Sequence, residues 1–515
     1  MPEPSLDRNI NYNWTNAHHT SQVGGPVEQL ITPANAWQDG SQASKRFIPG
    51  LRGLQQIVRE ASQQHKRVRA LGSAWSLSNA AYTDELLVNT QRLDYAFIGF
   101  NSANMVRAAY RDRRDRLMFV QCGWQIKSIS AELEAKRLAL PTSGASNGQT
   151  IAGAVSTGTH GAANQVGAMQ AFVRGLHVVA EDGQHYWIER ASNPVLTAVF
   201  CRWLDNARLL RDDNLFKAAV VGFGSFGIIH AVLLEAVPVY MLERHIRQYD
   251  YQDVVPVMNT LDISGLGLPE GSALPYHFEI VLNPYRTAPG EQGAYIRALY
   301  HHPAPDPLPP PDLQAGGLQP TEDLVAIIGH LAEVASEAIP HMLQVAMQRS
   351  LPLTPDEGVW GTHSQQFGDS EPVGGGISTE IGVPVARTQD AVEAIINVAR
   401  AHRFATPVAL RYVPALDAWL AFTCFDPMTC AIELPGLDIE PTRDGYRAIW
   451  QVLRDRGIPH TFHWGQAMPL THEWVRAGFG DERVDQWLHA RRAFLGDNGR
   501  HMFSNALLDQ LGLAR

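Results

Sequence analysis

Apolar residues in the first third of the chain follow short, mixed periods. Between residues 51 and 61 they recur at the spacing of an amphipathic helix, and strand patterns follow at 67–71, 86–89 and 117–120. Residues 1–45 are rich in Asn, Gln, Ser and Gly and show no clear period, so we expect them to lie over the surface. This mixture of short helical and strand-like patterns predicts a domain of small sheets rather than a doubly wound parallel sheet.

The pattern changes after Pro238. Residues 172–238 are mostly strand-like, whereas 276–282 alternates apolar and polar positions as a strand of an antiparallel sheet does. Helical spacing returns over 321–349 and 388–402. We therefore predict an α+β fold with a second domain built on an antiparallel sheet.

Three segments follow from these patterns and from the length of 515 residues, which is too long for one core. The first domain is expected to cover 1–240 and the second 241–471. Residues 472–515 form a third, C-terminal segment.

Composition narrows the class of protein. The chain is 45% hydrophobic and 18% charged with a net charge of −10, which is typical of a globular protein and argues against nucleic-acid or anionic-membrane partners. No apolar run is long enough for a membrane helix, and the N-terminus has no signal-peptide pattern. The four cysteines show no zinc-ligand spacing, so we expect free thiols, no metal and a cytoplasmic location.

The segment 149–161, QTIAGAVSTGTHG, contains only small residues, hydroxyls, one Gln, two branched aliphatics and one His. Glycine and alanine remove steric barriers and let backbone N–H groups approach a ligand closely. A second loop, 72–76, has the same character. Two such loops indicate a site for a phosphate-bearing ligand.

The segment resembles the T-I-A-G-x-x-x-T-G-T-H-G motif of the vanillyl-alcohol-oxidase (PCMH-type) flavoproteins. Further segments occur in the order of that family and most resemble its aldonolactone and alditol oxidase branch, namely Asn13-Trp14, 69–73, Gly123, 138–161, 213–216, 222–228, Arg411, 417–420 and 463–465. The resemblance implies a two-subdomain PCMH-type domain that binds FAD and a second domain that caps the flavin ring. It also implies that residues 472–515 return to the FAD-binding domain.

The resemblance also implies which residues contact FAD. They are Ala70, Leu71, Gly72, Ser73, Ala74, Trp75 and Ser76 in the first loop, Gly144 and Ala145, Thr150, Gly153, Thr157, Gly158, Thr159, His160 and Gly161 in the second loop, and Gly227 and Ile228 beyond it.

Three positions depart from the family pattern. Trp75 replaces the histidine that often links covalently to the flavin, so we expect FAD to be held without a covalent bond. Ala409 replaces a glutamate two residues before the arginine, and Gln466 replaces a lysine. Because both positions belong to the family's sugar site, they predict a less polar or neutral donor that is not a typical alditol.

Arg411 is the strongest catalytic candidate, because an arginine in the apolar strand 407–413 is costly to bury without a purpose. A fixed guanidinium would stabilise negative charge on the flavin and on a departing alkoxide. It could equally form a salt bridge with Glu380, and Glu380 could orient it. His463 matches the family's histidine and is the first candidate for the base that accepts the hydroxyl proton.

The expected reaction is the oxidation of a CH–OH donor by hydride transfer to flavin N5, with O2 reoxidising the flavin to give H2O2. Gly144 aligns with the position beside flavin C4a, where a small residue leaves a path for O2 and favours an oxidase. The alternative is a flavin dehydrogenase with another electron acceptor, and a flavin-fold binding protein without turnover also stays open. The oligomeric state is left open.

Two other motifs are discounted. Residues 144–148 satisfy GxSxG, the nucleophile elbow of serine hydrolases, but a proline and a Gly-Gln-Thr run replace the expected strand and helix. Residues 222–227 satisfy GxGxxG, but an apolar, β-branched segment follows where a dinucleotide fold would start a helix. We interpret the second motif as a turn beside the flavin.

Overall fold

The computed structural model describes residues 5–35, 46–310, 339–367, 372, 374–469 and 471–514. Of the 321–349 helix pattern, residues 321–338 lie outside the described residues. The strands are β1 (Ser5–Thr15), β2 (Gly24–Ala34), β3 (Val68–Leu71), β4 (Leu86–Asn89), β5 (Ala96–Ile98), β6 (Leu117–Gln121), β7 (Leu138–Ala139), β8 (Val173–Val179), β9 (His185–Glu189), β10 (Arg208–Arg211), β11 (Ile228–Glu235), β12 (Val237–Pro238), β13 (Tyr240–Tyr249), β14 (His277–Leu282), β15 (Ala294–Pro303), β16 (Val359–Thr362), β17 (Gly376–Pro384), β18 (Val408–Pro414), β19 (Met428–Leu437) and β20 (Thr461–Phe462).

The α-helices of the described ranges pack on these strands. They are α1 (Ile48–Gln64), α2 (Ile126–Glu134), α3 (Ile151–Thr157), α4 (Ala198–Trp203), α5 (Asp213–Ala219), α6 (Tyr251–Thr260), α7 (Ile339–Ser350), α8 (His363–Gln366), α9 (Thr388–His402), α10 (Glu440–Asp455), α11 (His472–Phe479), α12 (Asp481–Phe494), α13 (Asp497–Met502) and α14 (Ala506–Gln510).

Two large sheets form the first region, in the strand orders β1-β2-β4-β3 and β10-β9-β8-β11-β6-β5, together with the short two-stranded pair β12-β7. A third sheet has the order β16-β13-β15-β14-β18-β19-β17-β20, and every neighbouring pair in it is antiparallel. The predicted α+β class with a second, antiparallel domain is therefore confirmed. The domain boundaries at 240 and 471 stay predictions.

Four local predictions were wrong in detail. Residues 5–34 form two paired strands rather than a surface drape, because β1 is an exposed edge strand held by backbone bonds to β2 and carries no apolar period. The sequence pattern predicts a helix over 126–138, but the helix ends at Glu134. It also predicts a strand over 408–423, but the strand ends at Pro414. The 172–238 segment includes α4 and α5, whose N-caps are Thr197 and Asp212.

The C-terminal helices pack on the first region. The Trp487 indole N–H donates to the carbonyl oxygens of Ala218 and Val221, at 3.1 and 3.2 Å. The fully buried Arg491 donates from Nε to the Ser225 carbonyl at 3.0 Å. These bonds tie α12 to α5 and to the turn that precedes β11.

A buried histidine chain crosses the six-stranded sheet. The Tyr95 backbone N–H donates to Gln121 Oε1 at 2.7 Å, so Gln121 Nε2 must donate to His230 Nε2, 2.8 Å away. His230 Nδ1 then donates to His177 Nδ1 at 2.8 Å, and His177 Nε2 donates to His185 Nδ1 at 2.9 Å. This network assigns one neutral tautomer to each histidine.

Candidate active site

A cavity of roughly 1410 Å³ of empty space opens between the first region and β17–β19 of the antiparallel sheet. That volume includes the open solvent at the mouth of the cavity. The wall consists of Trp14, His18, 69–77, Ala80, Ala81, Thr90, Cys122, Gln149, Thr150, 152–154, Ser156, Thr157, Thr159, Phe223, Gly224, Gly227, Ile229, 376–378, Glu433, Pro435, His463, Gly465 and Gln466.

Most of the expected FAD contacts lie on this wall. They are Ala70, Leu71, Gly72, Ser73, Ala74, Trp75, Ser76, Thr150, Gly153, Thr157, Thr159 and Gly227, together with His463 and Gln466 of the expected substrate site. The other expected residues lie behind the wall and do not line it, namely Gly144, Ala145, Gly158, His160, Gly161, Ile228, Glu380, Ala409 and Arg411. Ile229 lines the cavity in place of Ile228, because alternate strand residues face opposite sides.

The two glycine-rich loops touch each other. A Cβ on Gly72 would lie 1.8 Å from Thr150 Oγ1, so no larger residue fits there without displacing one of the loops. The first loop is also tied to the antiparallel domain, since Ser76 Oγ and the Leu77 N–H both donate to the Gly465 carbonyl, at 3.2 and 2.7 Å. The expected role of Ser76 as a phosphate ligand is therefore joined by a structural one.

The wall carries features that fit FAD. Gln149 Oε1 and Gln466 Oε1 are buried and have no hydrogen-bond partner within the described residues, so each is a polar atom that a bound ligand would satisfy. Trp75 packs against Gly148, where a Cβ would lie 2.2 Å from the indole ring, and its ring meets His18 edge-on at 5.3 Å between centroids. An indole therefore occupies the wall position at which the family's linking histidine was expected.

The two discounted motifs lie in loops. Residues 222–227 form a turn ahead of β11, and Gly224 and Gly227 adopt positive φ on the cavity wall. Ser146 lies in a segment with no strand before it and no helix directly after it, so 144–148 is no nucleophile elbow.

Behind the wall, Arg411 joins three buried carboxylates. Its Nε lies 2.9 Å from Glu279 Oε1, and its Nη1 lies 2.6 Å from Glu433 Oε2 and 3.4 Å from Glu380 Oε1. Arg297 adds a second cation 3.3 Å from Glu279. The expected Arg411–Glu380 pair is present, but it is one part of a larger buried ion cluster.

The cluster shifts the ionisation of its members. Burial opposes the charge on Glu380, but His160, His463 and Arg411 outweigh it and lower the pKa of Glu380 to about 2. Burial raises the pKa of Glu433, aided by Glu380 and opposed by Arg411. Burial opposes the charge on Arg411 too, but the three carboxylates raise the pKa of its guanidinium.

The geometry of His463 does not suit a base. The Gly465 N–H donates to His463 Nδ1 at 3.0 Å, so the neutral ring carries its proton on Nε2. Burial lowers the pKa of His463 to about 4, which keeps the ring neutral near pH 7. His463 can therefore donate a hydrogen bond into the cavity but has no lone pair to offer there.

Sequence reasoning missed Glu279 and Glu433. Each is an acidic residue inside an otherwise apolar strand, the signal that identified Arg411. The register decides their importance, since Glu279 lies opposite Arg411 and Glu433 lies opposite Ala409 on one side and Glu380 on the other. The loss of the family's glutamate at Ala409 suggested that no charged group remains at this position, but the carboxylate of Glu433 lies on the neighbouring strand directly opposite.

Residues 52–189 match the model of an FAD binding domain. The chain is 23% identical over 501 residues to an L-gulono-1,4-lactone dehydrogenase of Mycobacterium tuberculosis, a match that covers 93% of this chain and 97% of that protein. It is 31% identical over 189 residues to a putative D-arabinono-1,4-lactone oxidase of Neurospora crassa, which covers 37% of this chain and 28% of the relative.

These matches confirm the predicted resemblance to the PCMH-type FAD flavoproteins. They also confirm the FAD cofactor and the class of enzyme, an FAD-dependent oxidoreductase. In fold, this flavoprotein is similar to a cholesterol oxidase from B. sterolicum, with a TM-score of 0.70 at 12% identity over 99% of this chain and 97% of that one. A solvent-stable cholesterol oxidase matches with a TM-score of 0.67 at 15% identity over 99% and 98% of the two chains.

The described residues of this flavoprotein contain neither a candidate metal site nor a candidate membrane-spanning helix. No group of three or more His, Cys, Asp or Glu side chains there could hold a metal ion. In the same residues, no helix has the length and apolar character needed to cross a membrane.

Proposed function

We propose that this flavoprotein oxidises a CH–OH group of a small molecule to a carbonyl and that O2 then reoxidises the cofactor to give H2O2. The observation that carries the proposal is the meeting of both glycine-rich loops, Glu433, His463 and Gln466 on one cavity wall. Residues that can hold FAD and side chains that can bind a hydroxyl group therefore line the same cavity.

The chain's own residues divide the work. The loops 70–76 and 150–159 would hold FAD, which when bound accepts a hydride at N5 and passes the electron pair to O2. His463 Nε2–H would donate to the substrate oxygen as negative charge develops there. Arg411 would act through Glu433 and Glu380, because it lies behind the wall and its contacts run to those carboxylates.

The substrate we propose is a neutral hydroxylated compound, with aldonolactones as the first class to test. Lactone enzymes are among the relatives that this chain resembles, and the mycobacterial one matches over most of this chain. Gln466 and Glu433 can bind several hydroxyl groups of such a donor by hydrogen bonds. Sterols belong in the same panel because the similar folds are those of cholesterol oxidases.

Reoxidation by O2 is the finer part of the proposal, and a dehydrogenase with another acceptor is its alternative, as the name of the mycobacterial relative indicates. Gly144 lies behind the wall, where an added Cβ would lie 2.8 Å from Thr159 Cγ2. Because Thr159 lines the cavity, a larger residue at 144 would push that methyl group inward. Small size at 144 therefore keeps the space beside the cofactor open.

The test uses FAD-loaded protein under anaerobic conditions. L-gulono-1,4-lactone, D-arabinono-1,4-lactone, alditols, aromatic alcohols and cholesterol are mixed with it, and bleaching of the flavin absorbance is followed by stopped flow. Bleaching by any of them supports the oxidation. Air is then admitted, and rapid return of colour with H2O2 supports an oxidase, whereas return only with an artificial acceptor supports the dehydrogenase.

A further inference from the structure

Glu433 is the carboxylate on the cavity wall. Among the described residues that line the cavity, it is the one acidic side chain. Its side chain is 10% exposed, whereas those of Glu380 and Glu279 behind it are 4% and 1% exposed. The buried ion cluster therefore reaches the cavity through Glu433.

The cluster holds this carboxylate in place. Arg411 Nη1 lies 2.6 Å from Glu433 Oε2, and the Ser378 hydroxyl donates to Glu433 Oε1 over 3.5 Å. Ser378 itself lines the cavity, so Oε1 lies beside the open space. A substrate hydroxyl could replace or extend the long Ser378 contact.

The other ionisable groups on the wall suit the role of a base less well. His463 presents an N–H, as shown above. Arg69 donates to the carbonyl oxygens of Phe503, Ala80 and Phe223, and burial raises the pKa of the Cys122 thiol to about 12. His18 remains as the second wall imidazole, and the experiment below separates it from Glu433.

We propose that Glu433 is the catalytic base of this flavoprotein: its carboxylate accepts the proton of the substrate hydroxyl. The O–H bond breaks as the C=O bond forms, the proton passes to Glu433, and the C–H hydrogen leaves with its electron pair to the cofactor. This assignment rests on the proposed oxidation, with FAD as the oxidant. Ser378 and Arg411 are positioning residues that orient the carboxylate.

Two physical features favour proton uptake at Glu433. It lies directly across from Glu380 in the β17–β19 register, and like charges opposite each other repel, so protonation removes that repulsion. Burial also raises the pKa of Glu433, and a base works best when its pKa approaches the operating pH. Arg411 opposes the shift.

The experiment compares Glu433→Gln with the wild type, both loaded with FAD, in anaerobic stopped flow with whichever panel compound bleaches the wild type. The glutamine keeps the shape and can still accept a hydrogen bond from Arg411. We expect the limiting rate of flavin reduction to fall on the order of 10²–10⁴-fold, the contribution of a general base. The substrate concentration that half-saturates reduction should change far less.

The pH profile is the sharper readout. In the wild type the rate should fall on the acid side as Glu433 protonates, and this limb should be absent in Glu433→Gln. Glu279→Gln is the matched control, because it removes a more deeply buried carboxylate that also pairs with Arg411 but lies off the wall. It should keep the acid limb whatever its rate.

A second measurement needs no turnover. In infrared difference spectra recorded across a pH titration, the carbonyl band of a protonated carboxyl group should appear in the wild type at a pH above the usual range of glutamate. The band should be missing from Glu433→Gln and present in Glu279→Gln. Its persistence in Glu433→Gln would contradict the raised pKa of this residue.

Failure of the inference and failure of the function can be told apart. If the wild type bleaches and Glu433→Gln keeps both its rate and its acid limb, Glu433 is not the base, and loss of the limb in His18→Gln would assign the role to His18. If no compound bleaches the folded, FAD-loaded wild type, the proposed oxidation itself fails, and the role of Glu433 fails with it.

Discussion

Arg411 should matter first for the integrity of the site. In Arg411→Met the volume is nearly kept, but the three carboxylates that lie 2.6, 2.9 and 3.4 Å from the guanidinium lose their shared cation. Removing one partner of a buried ion pair costs about 3–5 kcal/mol, because the remaining charge stays desolvated. We therefore expect the free energy of unfolding to fall by about that amount at pH 7.5.

The loss should depend on pH in a definite direction. In the wild type, the pKa of Glu380 is lowered to about 2, so its stabilising effect is present above pH 4.5 and is lost as the pH falls toward 2. Without Arg411, Glu433 would lose the cation that opposes its raised pKa, and its charged form would destabilise the fold above pH 4.5 until it protonates. The deficit of Arg411→Met should therefore shrink by up to about 1.4 kcal/mol per carboxylate and pH unit between pH 7.5 and 5.

Urea denaturation of the FAD-loaded proteins at pH 7.5 and pH 5, followed by far-ultraviolet circular dichroism and flavin fluorescence, measures both quantities. Arg411→Met combined with Glu433→Gln is the matched comparison, and it should recover part of the lost stability at pH 7.5. A deficit that is below 1 kcal/mol, or equal at both pH values, would refute the reasoning. A stable Arg411→Met that reduces its flavin 100-fold more slowly would fit a role of Arg411 in positioning Glu433.

Three further results are expected. Acid precipitation should release all FAD into the supernatant, because Trp75 lines the cavity where a linking histidine was expected. Gly72→Ala should lose FAD on gel filtration, because the added Cβ would lie 1.8 Å from the Thr150 hydroxyl oxygen in the second loop. The control Gly265→Ala should keep FAD, because no atom lies within 4 Å of the added Cβ. Burial lowers the pKa of His230 to about 3 and that of His177 well below 6.5, so their stabilisation is present above pH 6.5 and is lost below it. Between pH 7.5 and 5.5 this costs about 3 kcal/mol, a roughly 100-fold loss of hydrogen-exchange protection in β8 and β11.

Each of the three has a result that contradicts it. Fluorescent flavin on a denaturing gel would show a covalent bond, and full FAD retention in Gly72→Ala would show that the loops can separate without loss of binding. For the histidine chain, His230→Gln should show only about tenfold of the pH effect. If hydrogen-exchange protection of β8 and β11 falls as steeply in His230→Gln as in the wild type, the buried histidines do not set the pH dependence of that protection.

The sequence by itself determined the cofactor cradle. Close approach of the backbone to a ligand requires small residues locally, so the segments 72–76 and 149–161 can be recognised from the sequence. Most of their residues line the cavity. Helix and strand patterns were equally local: α9 spans Thr388–His402, the predicted range. The expectation that 172–238 is mostly strand missed α5. This helix is short, and its N-cap Asp212 lies outside any apolar period.

Only the tertiary structure decided the chemistry of the wall. Ala409 indicated an uncharged substrate site, but strand register places Glu433 directly across from it, and the 23 intervening residues carry no local signal of that pairing. The hydrogen bond from Gly465 likewise fixes the proton of His463 on Nε2, and no residue type could reveal that orientation. Hydrophobic periods report which face of an element is buried, whereas register and hydrogen-bond direction arise from partners distant in sequence.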